Sequence, residues 1–248
     1  MSKTYETGHT KNVANFETLV TYLTGYGSVY NPTNTNIALS SLNQKAEAAR
    51  SVTKQVNELI ATSSRSIAIR SKAFEPLSKL STKIFNSLKA SNLSALVIDN
   101  AATNHRKLQG RRASVKLTEE QKQQLAASGT VVNQISASQQ SFDSRLDTFD
   151  KQIQLLRTIP QYAPNEVELQ IETLLALQNE LLLKNRDVIS KNAELSNVRL
   201  QRDQILYNPD TGMVPLALNS KNYCKSIFGV STAQYKQISG IFFKFPKT

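Results

Sequence analysis

The sequence predicts an all-α protein, an elongated antiparallel bundle of two pseudo-repeated long helical hairpins, each followed by shorter basic helical segments. Three observations carry that expectation. Apolar residues recur at helical spacing over long runs, the stretch from Val167 to Leu206 lacks both Gly and Pro, and the two halves of the chain share an order of landmarks. The composition of 248 residues, with 8 Gly, 7 Pro, 1 Cys and no Trp, 40% hydrophobic and 20% charged, excludes collagen-like, disulfide-stapled and compositionally disordered chains.

The first helix is marked by Val13, Phe16, Val20 and Leu23, which share one face. Tyr30-Asn31-Pro32 then breaks the pattern, because proline lacks an N–H donor and excludes the residue before it from the helical region. A long helix follows through Leu42, Ala46, Ala49, Val56, Leu59, Ile60, Ile67, Ala73 and Phe74, with Ala46, Ala49 and Ser63 small enough to let another helix approach closely. Asn100 to Leu117 reads as a basic linker containing Gly110.

Thr118 with Gln121 forms a capping-box pattern and predicts a helix start. From there Leu125, Ser128, Val132, Ile135, Gln139, Phe142, Leu146, Phe149, Ile153 and Leu156 alternate spacings of three and four. That spacing predicts one continuous coiled-coil-like helix, ended by Ile159-Pro160. The second long helix runs from Val167 to Leu206 through Ile171, Leu174, Leu175, Leu181, Leu182, Val188, Ile189, Leu195, Val198 and Ile205. Asn185 and Asn192 are read as edges of its stripe rather than buried amides. Tyr207-Asn208-Pro209-Asp210-Thr211-Gly212 reads as a turn. Gly229-Val230-Ser231 leads into a Ser-capped helix, a pattern that also opens recognition helices but here predicts a plain capped helix.

The halves correspond in detail. Val13, Phe16, Val20 and Leu23 lie 133 positions before Leu146, Phe149, Ile153 and Leu156, and Tyr30-Asn31-Pro32 lies 132 before Tyr162-Ala163-Pro164. At the latter offset Ile37, Leu39 and Leu42 match Leu169, Ile171 and Leu174, and Phe74 matches Leu206. Shared periodicity alone would not place the same Tyr-x-Pro loop at nearly the same offset. The resulting division is a first repeat over residues 1–99, the linker 100–117 and a second repeat over 118–248.

Thirty Lys and Arg against nineteen Asp and Glu give a formal charge of +11. Residues 76–118 carry Lys79, Lys83, Lys89, Arg106, Lys107, Arg111, Arg112 and Lys116 against Asp99, and residues 211–248 carry Lys221, Lys225, Lys236, Lys244 and Lys247 with no acid. The rest of the chain is nearly neutral, so these thirteen cations form the candidate anion-binding set. The same segments hold Phe85, Tyr223, Phe228, Tyr235, Phe242, Phe243 and Phe245. Their aromatic rings could stack on bases or enter an anionic membrane interface, but are expected to cap the core.

Catalytic patterns are absent from the sequence. His9 and His105 sit in an expected N-terminal extension and in the linker, away from carboxylates at ligand spacing. Neither a P-loop nor a dinucleotide-binding glycine pattern occurs, and Glu168, Glu172, Glu180, Asp187 and Glu194 fall on expected solvent faces. Cys224 reads as a packed residue. No signal-peptide core or membrane-length apolar run is present, which sets a cytoplasmic expectation. The expected function is therefore a scaffold or interaction protein, with no catalysis, metal or cofactor, whose basic ends dock on an acidic protein or other polyanion. The alternatives are nucleic-acid binding and, through Phe242, Phe243 and Phe245, a toxin-like action on anionic membranes. A coiled-coil stripe can be satisfied within one chain or between two copies, so it fixes no oligomeric state.

Overall fold

The computed structural model describes residues 6–111, 118–127 and 140–245. All regular structure among them is helical: α1 (Glu6–Gly25), α2 (Leu39–Phe74), α3 (Leu77–Ala90), α4 (Ala95–Leu108), α5 (Glu119–Ala127), α6 (Phe142–Arg157), α7 (Ile171–Tyr207), α8 (Met213–Phe228) and α9 (Ala233–Ser239). Short 3-10 turns, Thr35–Ile37 and Val167–Leu169, lead into α2 and α7. Pro76 ends the first long helix by serving as the N-cap of α3.

The chain forms two compact units, residues 1–63 with 191–248 and residues 64–190, whose boundaries fall inside α2 and α7. In the first unit, Val13, Phe16, Leu19, Val20 and Leu23 of α1 are buried with Leu42, Ala46 and Ala49 of α2, the end of α7, and Met213, Ala217 and Cys224 of α8. A satellite cluster joins Val52, Val56 and Leu59 to Leu195 and Val198. In the second unit, Leu146, Phe149, Ile153 and Leu156 of α6 pack with Phe74, with Ile84 and Leu88 of α3, with Ala101 and Leu108 of α4, and with Leu174 and Leu181 of α7. Full burial of each large side chain here contributes about 1.5–3 kcal/mol relative to exposure.

The two loops entering the long helices are built alike. The Tyr30 hydroxyl donates to the Ile37 carbonyl at 2.8 Å, and the Tyr162 hydroxyl donates to the Leu169 carbonyl at 2.8 Å; both rings are buried. Burial pushes each hydroxyl up to about 12, so the folded state holds its proton. Stability from these groups is fully present below their ordinary value near 10 and falls as pH rises from about 10 to 12. Tyr30→Phe and Tyr162→Phe should each cost about 1–2 kcal/mol by urea unfolding at pH 7, because a buried carbonyl loses its donor. Each variant should also lose stability less steeply between pH 10 and 12 than the parent.

A local mismatch sits on α6. Gln152 is wholly buried, and neither its amide oxygen nor its nitrogen has a hydrogen-bond partner among the described residues. Leu19 of α1, 133 positions earlier, is buried to the same degree. Gln152→Leu is therefore expected to raise stability by about 1–2 kcal/mol, since an apolar side chain of similar size removes the desolvation cost. A lower urea midpoint in that variant would contradict the assignment.

Several expectations are corrected. The continuous helix from Thr118 is instead α5 followed by α6, because the Ser141 hydroxyl caps a new helix by accepting from the Ser144 N–H at 3.1 Å. The Thr118–Gln121 capping box does form, with bonds of 3.0 and 3.3 Å, at the start of α5. Of the seam, Phe142 is half-buried and Leu146 to Leu156 are buried, whereas Ser128, Val132, Ile135 and Gln139 lie outside the described residues. On α7, Ile189 is exposed rather than part of the buried stripe. Asn185 is a buried amide, not an edge residue: it accepts from Arg70 Nη1 at 3.0 Å and donates to Asp143 at 2.7 Å. Asn192 is exposed and accepts from buried Ser63 at 2.7 Å. His9 belongs to α1 and is buried, not part of an extension. Residues 100–108 are the second half of α4, which also carries His105. The cap of α9 is Thr232, whose hydroxyl accepts from the Tyr235 N–H, rather than Ser231.

Two glycines have geometric reasons. A Cβ at Gly212 would stand 2.5 Å from the Asn208 carbonyl oxygen, where the turn folds back before α8. Gly229 ends α8 at φ +82°, a conformation that favours glycine.

Candidate functional site

The helical segments that follow α2 and α7 carry the predicted cations. In the second unit, Lys79, Lys83 and Lys89 are exposed on α3, opposite the buried face made by Leu77, Ile84 and Leu88. Lys83 binds Glu168 at 2.7 Å. Lys89 places its ammonium 4.5 Å from the centroid of Phe85, and His105 stacks on the same ring at 4.9 Å. Burial, with repulsion from Arg111 and Lys89, holds His105 below its ordinary value. Arg106 and Lys107 occupy the last turn of α4, a favourable place for cations at the negative end of a helix. Exposed Arg111 follows Gly110. The structure thus brings Lys89, His105 and Arg111 within electrostatic reach of one another. Arg112, Lys116 and Lys247 lie outside the described residues.

In the first unit, Lys225, Lys236 and Lys244 are exposed. Lys221 is committed differently: its ammonium donates to the carbonyls of Ser239 and Ile241 at 3.0 and 2.9 Å, and burial lowers its pKa. It fastens the end of α9, where helix carbonyls lack intrahelical partners. The segment 241–245 is held along α1 by Asn15, which donates to the Phe242 carbonyl at 2.7 Å, and by Asn12, which donates to the Lys244 carbonyl at 2.7 Å and accepts from its N–H at 3.1 Å. Along this segment Ile241 and Phe243 pack inward, whereas Phe242 and Phe245 are exposed at 74% and 54%. The expectation that all the aromatics cap the core therefore fails for Phe242 and Phe245, while Phe85, Tyr223, Phe228, Tyr235 and Phe243 do pack on the cores.

A polar cluster beside this segment escaped the sequence reading. Glu6 accepts from Arg199 and Arg202, Arg202 also binds Asp203 at 2.8 Å, and Tyr207 accepts from Asn12 while lying 2.7 Å from Nδ1 of His9. Burial, then repulsion from Arg202, lowers the His9 pKa. Charges at Glu6 and Arg202 are far apart in sequence, and no spacing rule joins them.

Other candidates have plain placements. Cys224 is fully buried, and desolvation pushes its thiol up to about 11, which keeps it protonated and unreactive at neutral pH. Glu168, Glu172, Glu180, Asp187 and Glu194 are exposed. Among the described residues no group of His, Cys, Asp and Glu has the arrangement of a metal site, and no helix is long and apolar enough to cross a membrane.

Set against known proteins, the chain matches no protein-family model, no curated protein and no solved structure. The class that the fold defines is therefore an all-α helical protein, and its function has to be argued from its own residues.

Proposed function

We propose that the protein is a non-catalytic interaction module, built twice on one helical plan, whose basic ends dock on an acidic partner protein. One observation carries this reading. Of the ten described cations in the two basic segments, Lys83 is the one held in an ion pair; Lys79, Lys89, Arg106, Lys107, Arg111, Lys221, Lys225, Lys236 and Lys244 have no carboxylate partner among the described residues. Elsewhere some cations do meet internal acids, as Arg50 meets Glu17 and Arg199 and Arg202 meet Glu6, while others such as Lys11, Lys45 and Lys72 have none among the described residues; what sets the two basic segments apart is the density of their unpaired cations. Unneutralised like charge costs self-repulsion, which an acidic partner relieves while steering its own approach.

Duplication is supported by matched contacts as well as matched spacing. Tyr30 and Tyr162 each donate to the carbonyl seven residues on. Phe142 meets Phe74 at 4.9 Å, and His9 meets Tyr207 at 5.6 Å. His9 lies 133 positions before Phe142, and Tyr207 is the neighbour of Leu206, the counterpart of Phe74, so each pairing joins the short helix of one half to the end of the long helix of the other.

The test is fluorescence anisotropy with labelled poly-L-glutamate and, separately, a labelled DNA duplex. Binding of poly-L-glutamate should be strong at low salt and fall steeply toward physiological salt, where the Debye length shortens to about 8 Å. Binding of the duplex alone would favour the nucleic-acid alternative. Retention of poly-L-glutamate that salt does not change would overturn the electrostatic reading.

A further inference from the structure

We infer that a groove at the C-terminal end of α1 in the first unit takes an acidic peptide segment carrying one aromatic or branched aliphatic anchor. This rests on the acidic-partner reading and specifies the segment recognised. The groove has a volume of about 530 Å³, within the range of peptide-anchor and small-ligand sites. Tyr22, Tyr26, Val29 and Phe228 supply its apolar surface, and Gln234 and Gln237 of α9 supply amides.

Its wall is preformed. Tyr26 packs edge-on against Phe228 at 5.1 Å, and its hydroxyl donates to the Gln234 carbonyl at 2.7 Å. An anchor would therefore enter without first ordering these rings, which lowers the entropic cost of binding. Tyr22, Val29, Ile227 and Val230 leave exposed apolar area on the elements that line the groove.

Charge decides what enters. Lys225 lies one turn before Phe228 on α8, and Lys236 lies between Gln234 and Gln237 on α9; both are exposed. No Asp or Glu occurs from Thr211 to Phe245. Glu17, one turn before Thr21 on α1, is held by Arg50 at 2.8 Å. The groove in the second unit differs. Beside Leu80 and Leu177 it carries Lys79 and Lys83 but also Glu168 and Glu180, so it offers both signs of charge. The lining of the first groove is uncharged, and exposed Lys225 and Lys236 on the helices that contribute to it favour carboxylates flanking the anchor.

The probes are labelled nonapeptides of Asp and Glu with a central Phe, Leu or Ala, read by anisotropy against the full chain. The Phe and Leu peptides should bind about tenfold tighter than the Ala peptide. Gly25→Trp places a side chain in the groove, and a Cβ at Gly25 meets nothing within 4 Å. That variant should erase the preference, so that the Phe and Leu peptides bind no tighter than the Ala peptide. Lys225→Glu with Lys236→Glu should weaken all three peptides, and thermal melts confirm that each variant is folded. Equal binding of the three peptides by the parent, or a preference that survives Gly25→Trp, overturns the groove inference and leaves acidic docking standing. Absence of binding by every peptide at low salt overturns both.

Discussion

Phe149→Asp is expected to unfold the second unit. Phe149 is wholly buried among Leu146, Ile153, Leu156 and the facing residues of α3, α4 and α7. Truncating a buried Phe costs about 3–5 kcal/mol through lost transfer energy and the cavity left behind. An unpaired carboxylate in that space adds a desolvation penalty, and the total approaches or exceeds the roughly 5–15 kcal/mol that holds an ordinary domain folded. Circular dichroism should show a large loss of helix at 25 °C, with no cooperative melt for that unit. Phe242→Asp changes a side chain that is 74% exposed and should melt like the parent. A parent-like melt of Phe149→Asp would mean that α6 does not pack on the face assigned to it.

The second large effect is expected at Arg202. Its side chain is 3% exposed and makes charge-assisted bonds to Glu6 and Asp203. Removing one partner of a buried pair leaves the other charge desolvated and unpaired, a cost of about 3–5 kcal/mol. Arg202→Ala should fall at the lower end, about 3 kcal/mol by urea unfolding, because Arg199 still reaches Glu6 at 3.1 Å. The Lys54–Glu58 pair is the control: it spans 3.8 Å with both side chains exposed, so Lys54→Ala should change stability by no more than about 0.5 kcal/mol. Equal costs at the two sites would show that Arg202 lies in solvent rather than in the cluster with His9 and Tyr207.

What could be read from the residues themselves was mainly local. The helical spacing of Leu42 to Phe74 and of Ile171 to Leu206, with Pro76 and the Tyr-x-Pro loops, locates α2 and α7 within a few residues of their ends. The break before Phe142 was hidden because polar Ser128 and Gln139 keep the seam's spacing, and period alone does not register a cap such as Ser141. Asn185 looked like an edge because its burial depends on Arg70 and Asp143, 115 and 42 residues away. Composition located the basic segments, but which cations stand free depends on tertiary contacts. Lys221 meets carbonyls and Lys83 meets Glu168, whereas Lys225 and Lys236 meet no acid among the described residues. The aromatic rings divided for a similar reason: helical Phe228 packs inward by register, while the non-helical segment 241–245 is positioned by its bonds to Asn12 and Asn15 of α1, which helical period does not register.

One titration series tests the central claim that two free basic ends bind acid. Labelled poly-L-glutamate is titrated at low salt with four proteins: the parent, Lys79→Glu with Lys89→Glu, Lys225→Glu with Lys236→Glu, and the combination of all four substitutions. All four side chains are exposed, so the fold should survive, as melts would show. Each reversed end should weaken binding about tenfold, and reversal of both should abolish it. A fourfold-reversed protein that is folded and binds like the parent would contradict the account.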